Sequence, residues 1–102
     1  MVNKIITLLE KLIKNNNYTH FTFKQYLYSE TLEVKYNNYI LCIYLPKDDY
    51  KVSMQWKNLS DFNTYTKISE EEYLQIKVLW LQLKKKELQY QQNLLEEFIE
   101  SI

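Results

Sequence analysis

The chain contains no glycine. Every reversal must therefore be made by residues that carry a Cβ. Of these, Asn and Asp enter left-handed backbone most readily, and Pro presets φ at the first central position of the common turns. That leaves few places for this backbone to turn: Asn15 to Asn17, Asn37-Asn38, Pro46 to Asp49, and the polar run "KNLSDFNTYTKI" at 57–68.

The stretch "YNNYILCIYLPKDDYKVSMQW", residues 36–56, holds two of these points. Asn37-Asn38 suits the two-residue type I′ turn of a hairpin. Tyr36 then faces Tyr39, Val34 faces Leu41, and Leu32 faces Ile43. With Pro46 to Asp49 as the second turn, Leu45 faces Tyr50, Ile43 faces Val52, Leu41 faces Met54, and Tyr39 faces Trp56. Both hairpins gather one apolar set on one face, and a one-residue slip would scatter it. The expectation is a three-stranded antiparallel meander. Its reverse face shows Ile40, Cys42 and Tyr44 between polar outer strands, a pattern that favours cover by another element over an open contact surface. "YTHFTFKQYLYSE", residues 18–30, is rich in aromatic and β-branched residues and reads as a further strand.

Helices flank this sheet in sequence. Residues 3–17, "NKIITLLEKLIKNNN", place Ile5, Ile6, Leu9, Leu12 and Ile13 on one stripe, with Asn3 as N-cap and Asn15 to Asn17 as the stop. Ser69 and Glu72 form the S-x-x-E capping box, and Glu70 to Glu72 stand where a helix dipole favours acids. From there to Ile102 nothing breaks a helix. Leu74, Leu81, Leu88, Leu95 and Ile102 recur every seven residues, with Val78, Lys85, Gln92 and Ile99 in the companion positions. The seam is thus polar in its middle. One helix over 69–102 would run ~50 Å, whereas a domain of this size has a radius of gyration near ~13 Å. The expected break is therefore at "KKKELQYQQN", giving a helical hairpin. The alternative is one long helix that self-associates through Leu74, Leu81, Leu88 and Leu95. The fold class is α+β: an N-terminal helix, a three- or four-stranded antiparallel meander and a C-terminal long helix or helical hairpin, in one domain over residues 1–102.

Apolar residues make up 46% and charged residues 25%, which suits an ordered globular chain, and the formal net charge is zero. Gly, Arg and Ala are absent while Lys, Asn, Ile, Leu and Tyr abound. That skew follows A/T-rich codons and points to a low-GC bacterium, its phage or its plasmid. Cys42 is the only cysteine, so no intrachain disulfide forms and a reducing compartment is expected. The N-terminal residues lack the features of a signal peptide, and no run approaches the ~18 apolar residues of a membrane span. The expected location is the cytoplasm of a bacterial host cell, away from membranes.

The chemistry-bearing residues are sparse. His20 is the sole histidine, so His and Cys cannot cluster around a metal within one chain. Without glycine there is no phosphate-cradling loop, and without arginine no bidentate phosphate clamp. Asp48-Asp49 and Glu70 to Glu72 read as solvated structural acids. These features argue against an enzyme and imply no cofactor. Ten tyrosines interleaved with lysine could stack single-stranded bases, but zero net charge weakens the counterion-release term that drives such binding. A protein partner fits better, since Tyr and Trp are enriched in interfaces. The candidate contact residues are Tyr44, Asp48, Asp49, Tyr50, Glu70, Glu71, Glu96 and Glu97.

"LLEKLIKNNNYT", residues 8–19, followed by the meander, is similar to the helix-then-strand opening of small phage-encoded anti-CRISPR proteins, the type II-A inhibitors in particular. The resemblance implies an inhibitor, encoded by a phage or mobile element, that binds a CRISPR effector nuclease directly. Members of that group are strongly acidic and imitate DNA. This chain is neutral, so an inhibitor that wedges a moving part or blocks assembly is the form expected. A homodimeric adaptor built on the C-terminal helix, and a single-stranded nucleic-acid binder, are the alternatives.

Overall fold

The computed structural model describes residues 2–15, 21–47, 49–57 and 65–102, the side chain of Tyr65 excepted. Helix α1 spans Val2–Lys14 and buries Ile5, Leu9 and Leu12. Ile6 and Ile13 pack partly against the same core, completing the expected stripe. The helix starts at Val2, so Asn3 lies inside the first turn and is not the N-cap. Its last turn carries Lys11 and Lys14, which complement the dipole.

Among the described residues five strands follow: β1 (Phe21–Gln25), β2 (Ser29–Tyr36), β3 (Tyr39–Pro46), β4 (Lys51–Trp56) and β5 (Tyr65–Lys67). They form one antiparallel sheet in chain order. The sequence predicts three or four strands. β5 falls in the stretch read as a polar connection, because three residues are too few for alternation to show. Of the run read as one strand, residues 18–20 lie outside the described residues, and 21–30 is not one strand either. The chain leaves β1 at Tyr26, turns through exposed Leu27 and Tyr28, and enters β2 at Ser29, with the Tyr26 amide donating to the Ser29 carbonyl at 2.8 Å.

The β2–β3 hairpin has the expected register, with Tyr36 opposite Tyr39, Val34 opposite Leu41 and Leu32 opposite Ile43. Its turn departs from type I′. Asn37 has φ 53° and is the only described residue with positive φ, whereas type I′ needs positive φ at both central positions. The β3–β4 register is offset by two from the expected one: Ile43 pairs Met54 and Leu41 pairs Trp56. The stretch between the strands is still four residues, but it lies at 47–50, one residue further along than the expected 46–49. An offset of two keeps every side chain on its own face, which is why the apolar pattern cannot distinguish the two registers. Tyr39 and Trp56 still meet as a diagonal pair, with ring centroids 5.8 Å apart and planes at 74°.

Helix α2 runs unbroken over Glu70–Ser101, 32 residues, or ~48 Å at 1.5 Å per residue. The expected break at 84–93 does not occur. The capping box is present: Ser69 Oγ accepts the Glu72 amide at 3.1 Å, and Glu72 Oε1 accepts the Ser69 amide at 3.0 Å. Tyr73, Ile76, Trp80 and Leu83 are buried at helical spacing against α1 and the sheet. Trp80 is fully buried, and its ring meets Phe23 of β1 edge-on at 5.3 Å. From Gln91 onward every residue is exposed. This overhang accounts for a long axis of 49 Å and a radius of gyration of 14.8 Å.

Polar contacts fix α2 in place. Glu30 of β2 is buried on the core face, and Lys84 and Lys77 reach its carboxylate at 2.5 and 3.8 Å. Lys86 Nζ donates to the carbonyls of Leu12, Ile13 and Asn15 at the end of α1, which satisfies acceptors that a helix leaves open at its C-terminus.

Candidate functional site

Helix α2 presents two apolar faces. One is the core face through Tyr73, Ile76, Trp80 and Leu83. The other is the seven-residue repeat. Leu74, Val78, Leu81, Leu88, Leu95, Ile99 and Ile102 are each more than half exposed, from 51% at Leu81 to 89% at Ile102. At 100° per residue these positions fall on one stripe, rotated by more than a quarter turn from the core face. A helix that only packed its own domain would be polar there. Phe98 adds exposed apolar surface beside the stripe near its C-terminal end, and exposed Leu94 continues the line of the core face.

The same helix explains why the stripe stays open. The sheet and α1 have room for one face of α2, and the four buried residues fill it. Lys84 and Lys86 are turned toward Glu30 and the end of α1. Lys85, by contrast, is exposed and lies on the stripe itself.

The other candidate contact residues do not form one site. Glu70 and Glu71 are exposed in the first turn of α2, whereas Glu96 and Glu97 stand on the overhang, some ~39 Å further along the helix at 1.5 Å per residue. Tyr50 does lie near the start of α2: its ring stands 5.2 Å from that of Tyr73, and its carbonyl accepts the Ile68 amide at 2.9 Å. Asp49 is exposed and ion-paired with Lys51 at 3.2 Å. Asp48 and His20 lie outside the described residues. Tyr44 is on the reverse face of the sheet, where its hydroxyl accepts from Gln55 Nε2 at 3.3 Å.

That reverse face is closed at its centre. Thr31, Cys42 and Ser53 are buried there. Glu33, paired across the strands with Cys42, holds Lys24 at 3.1 Å and Lys57 at 3.4 Å. Burial pushes the Glu33 carboxyl up, but the hydrogen bonds and charges of the two lysines outweigh it and hold the group below its usual range. Burial, with the Glu33 charge added, pushes the Cys42 thiol up. The thiolate is the reactive form, so burial works against reaction at Cys42. Among the described residues no three His, Cys, Asp or Glu side chains are placed to hold a metal ion, and no helix is long and apolar enough to cross a membrane.

Two features escape a reading of the sequence alone. The exposed corner Tyr26-Leu27-Tyr28 carries none of the usual turn residues, so nothing marks it as a reversal. Trp80 and Leu81 are adjacent apolar residues with opposite fates, and only the packing of α2 separates them. No protein family model, curated protein or solved structure matches the chain.

Proposed function

We propose that this protein acts by binding another protein through the seven-residue apolar stripe of α2, and that it carries out no catalysis. The observation that supports this reading is the stripe itself: seven large aliphatic side chains, each more than half exposed, in one line along α2. Exposed apolar side chains aligned on one face in this way mark an interaction site more often than scattered single residues do. Nucleic acid is the weaker reading. Several lysines that would supply counterion release are already engaged, Lys24 and Lys57 by Glu33, Lys77 and Lys84 by Glu30, and Lys51 by Asp49.

A CRISPR effector nuclease is the partner class implied by the resemblance to phage inhibitors, and it is the first bait to try. The test is capture by the tagged full chain, with and without nuclease treatment, beside a Leu81→Glu/Leu88→Glu variant. A protein recovered in both arms and lost with the variant supports the reading. Recovery that disappears with nuclease treatment, or that the variant leaves unchanged, overturns it.

A further inference from the structure

We propose that the α2 stripe is occupied by a second copy of the same chain, with the two α2 helices antiparallel. The inference rests on the protein-binding reading and adds the identity and direction of the partner.

The stripe has the period of a coiled-coil seam. Steps of four and three residues alternate from Leu74 to Ile102, and only Lys85 and Gln92 interrupt the apolar series. A surface of this shape is complementary to another helix with the same repeat, and a second copy supplies one. The size also fits. Nine seam positions and the eight that flank them come close to the ~20–30 residues a side of a standard interface. The overhang points the same way. Residues 91–101 are helical yet every one is exposed, and a helix of that length without packing is marginal in water. A partner helix gives it a surface to fold on.

Direction follows from the two polar positions. A parallel pair sets Lys85 against the partner's Lys85 inside the seam, along with Gln92 against the partner's Gln92. It also stacks the acidic overhangs, with Glu96, Glu97 and Glu100 side by side. An antiparallel pair in which paired residue numbers sum to 173 avoids this. Lys85 then faces the partner's Leu88, Gln92 faces the partner's Leu81, Val78 faces the partner's Leu95, and Ile99 faces the partner's Leu74. No two charged residues share a layer. The opposed helix dipoles also attract. Each overhang then covers the exposed first half of the other helix, so both halves of the stripe are buried by one contact.

The test is sedimentation velocity of the full chain across a wide concentration range, with disulfide trapping for direction. The expected mass is twice the 12.6 kDa of one chain. Leu88→Glu with Leu95→Glu should return it to one chain and remove the helical signal of the overhang, while the near-ultraviolet signal of buried Trp80 is unchanged. Lys85→Leu makes the seam more apolar and should tighten the dimer, a gain that misfolding cannot imitate. In a Cys42→Ala background, a mixture of Val78→Cys and Leu95→Cys chains should form a mixed disulfide, and neither should cross-link to itself. Self-linking of Leu95→Cys alone overturns the antiparallel direction. A chain that is monomeric at every concentration, yet still captures a different protein through Leu81 and Leu88, overturns the second copy and leaves the binding reading intact.

Discussion

Lys84 Nζ on α2 stands 2.5 Å from Glu30 Oε2 on β2, and the carboxylate it holds is buried among core side chains. Lys77 approaches the other oxygen at 3.8 Å. The two lysines keep about a third of their side chains in solvent, but the glutamate does not. The consequences of breaking the contact are therefore unequal. Lys84→Met combined with Lys77→Met leaves a buried charge with neither cation and should cost about 3 kcal/mol. Glu30→Gln frees lysines that can turn to water and should cost about 1 kcal/mol. Urea unfolding of both variants decides the matter, and a larger loss for Glu30→Gln would contradict the burial argument.

Trp80 anchors α2 to β1 through its edge contact with Phe23. Trp80→Ala should cost about 3–5 kcal/mol, a large part of the stability of a domain this small. Trp80→Phe should cost much less, because Trp80 Nε1 has no hydrogen-bond partner among the described residues. Thermal unfolding followed by circular dichroism measures both. Equal losses would mean that the indole nitrogen is bonded after all.

The left-handed backbone at Asn37 makes the β2–β3 turn without glycine. Asn37→Ala should destabilise by roughly 1 kcal/mol, since a Cβ without the Asn side chain gains nothing in that region. Asn37→Gly should be neutral or slightly stabilising. Chemical denaturation midpoints test this, and an Asn37→Ala variant as stable as the parent would refute it.

Two carboxylates should respond to pH in opposite senses. Glu33 is held below its usual range by Lys24 and Lys57 against the opposing effect of burial. Its contribution is present above the ordinary carboxylate pKa and is lost as pH falls through the lowered folded value. Glu87 is pushed up by burial, which outweighs the hydrogen bond from the Phe23 backbone and the charge of Lys84. Its contribution is present below the ordinary pKa and is lost as pH rises through the raised folded value. Glu33→Gln should therefore weaken the fold at neutral pH, and Glu87→Gln should strengthen it. Both differences should vanish in strong acid. Stability measured from neutral to acid pH checks the signs, and a Glu87→Gln variant weaker than the parent at neutral pH would reverse the assignment.

Much of this architecture is legible in the sequence because it rests on local chemistry. The α1 stripe, the Ser69–Glu72 capping box and the register around Asn37-Asn38 each depend on residues close together in the chain. Periodicity also places Leu74, Leu81, Leu88 and Leu95 on one line. Local pattern cannot resolve an offset that preserves sheet faces, and so the β3–β4 register differs by two from the expected one. Nor can it find a strand as short as β5 or a turn as apolar as Tyr26-Leu27-Tyr28.

The continuity of α2 is the plainest case of a tertiary decision. Residues 84–93 look like a break because they are polar. In the fold Lys84 turns to Glu30 and Lys86 to the carbonyls at the end of α1, so the same residues hold the helix to the body. The sequence by itself determined that a helix stands at each end, that residues 32–56 alternate, and that α2 carries a seven-residue repeat. Only the tertiary structure decided which of its two apolar faces is spent on the core. Burial depends on what stands opposite a side chain, and that is settled by strands and helices far away in the chain. Here they cover Trp80 and leave Leu81 open.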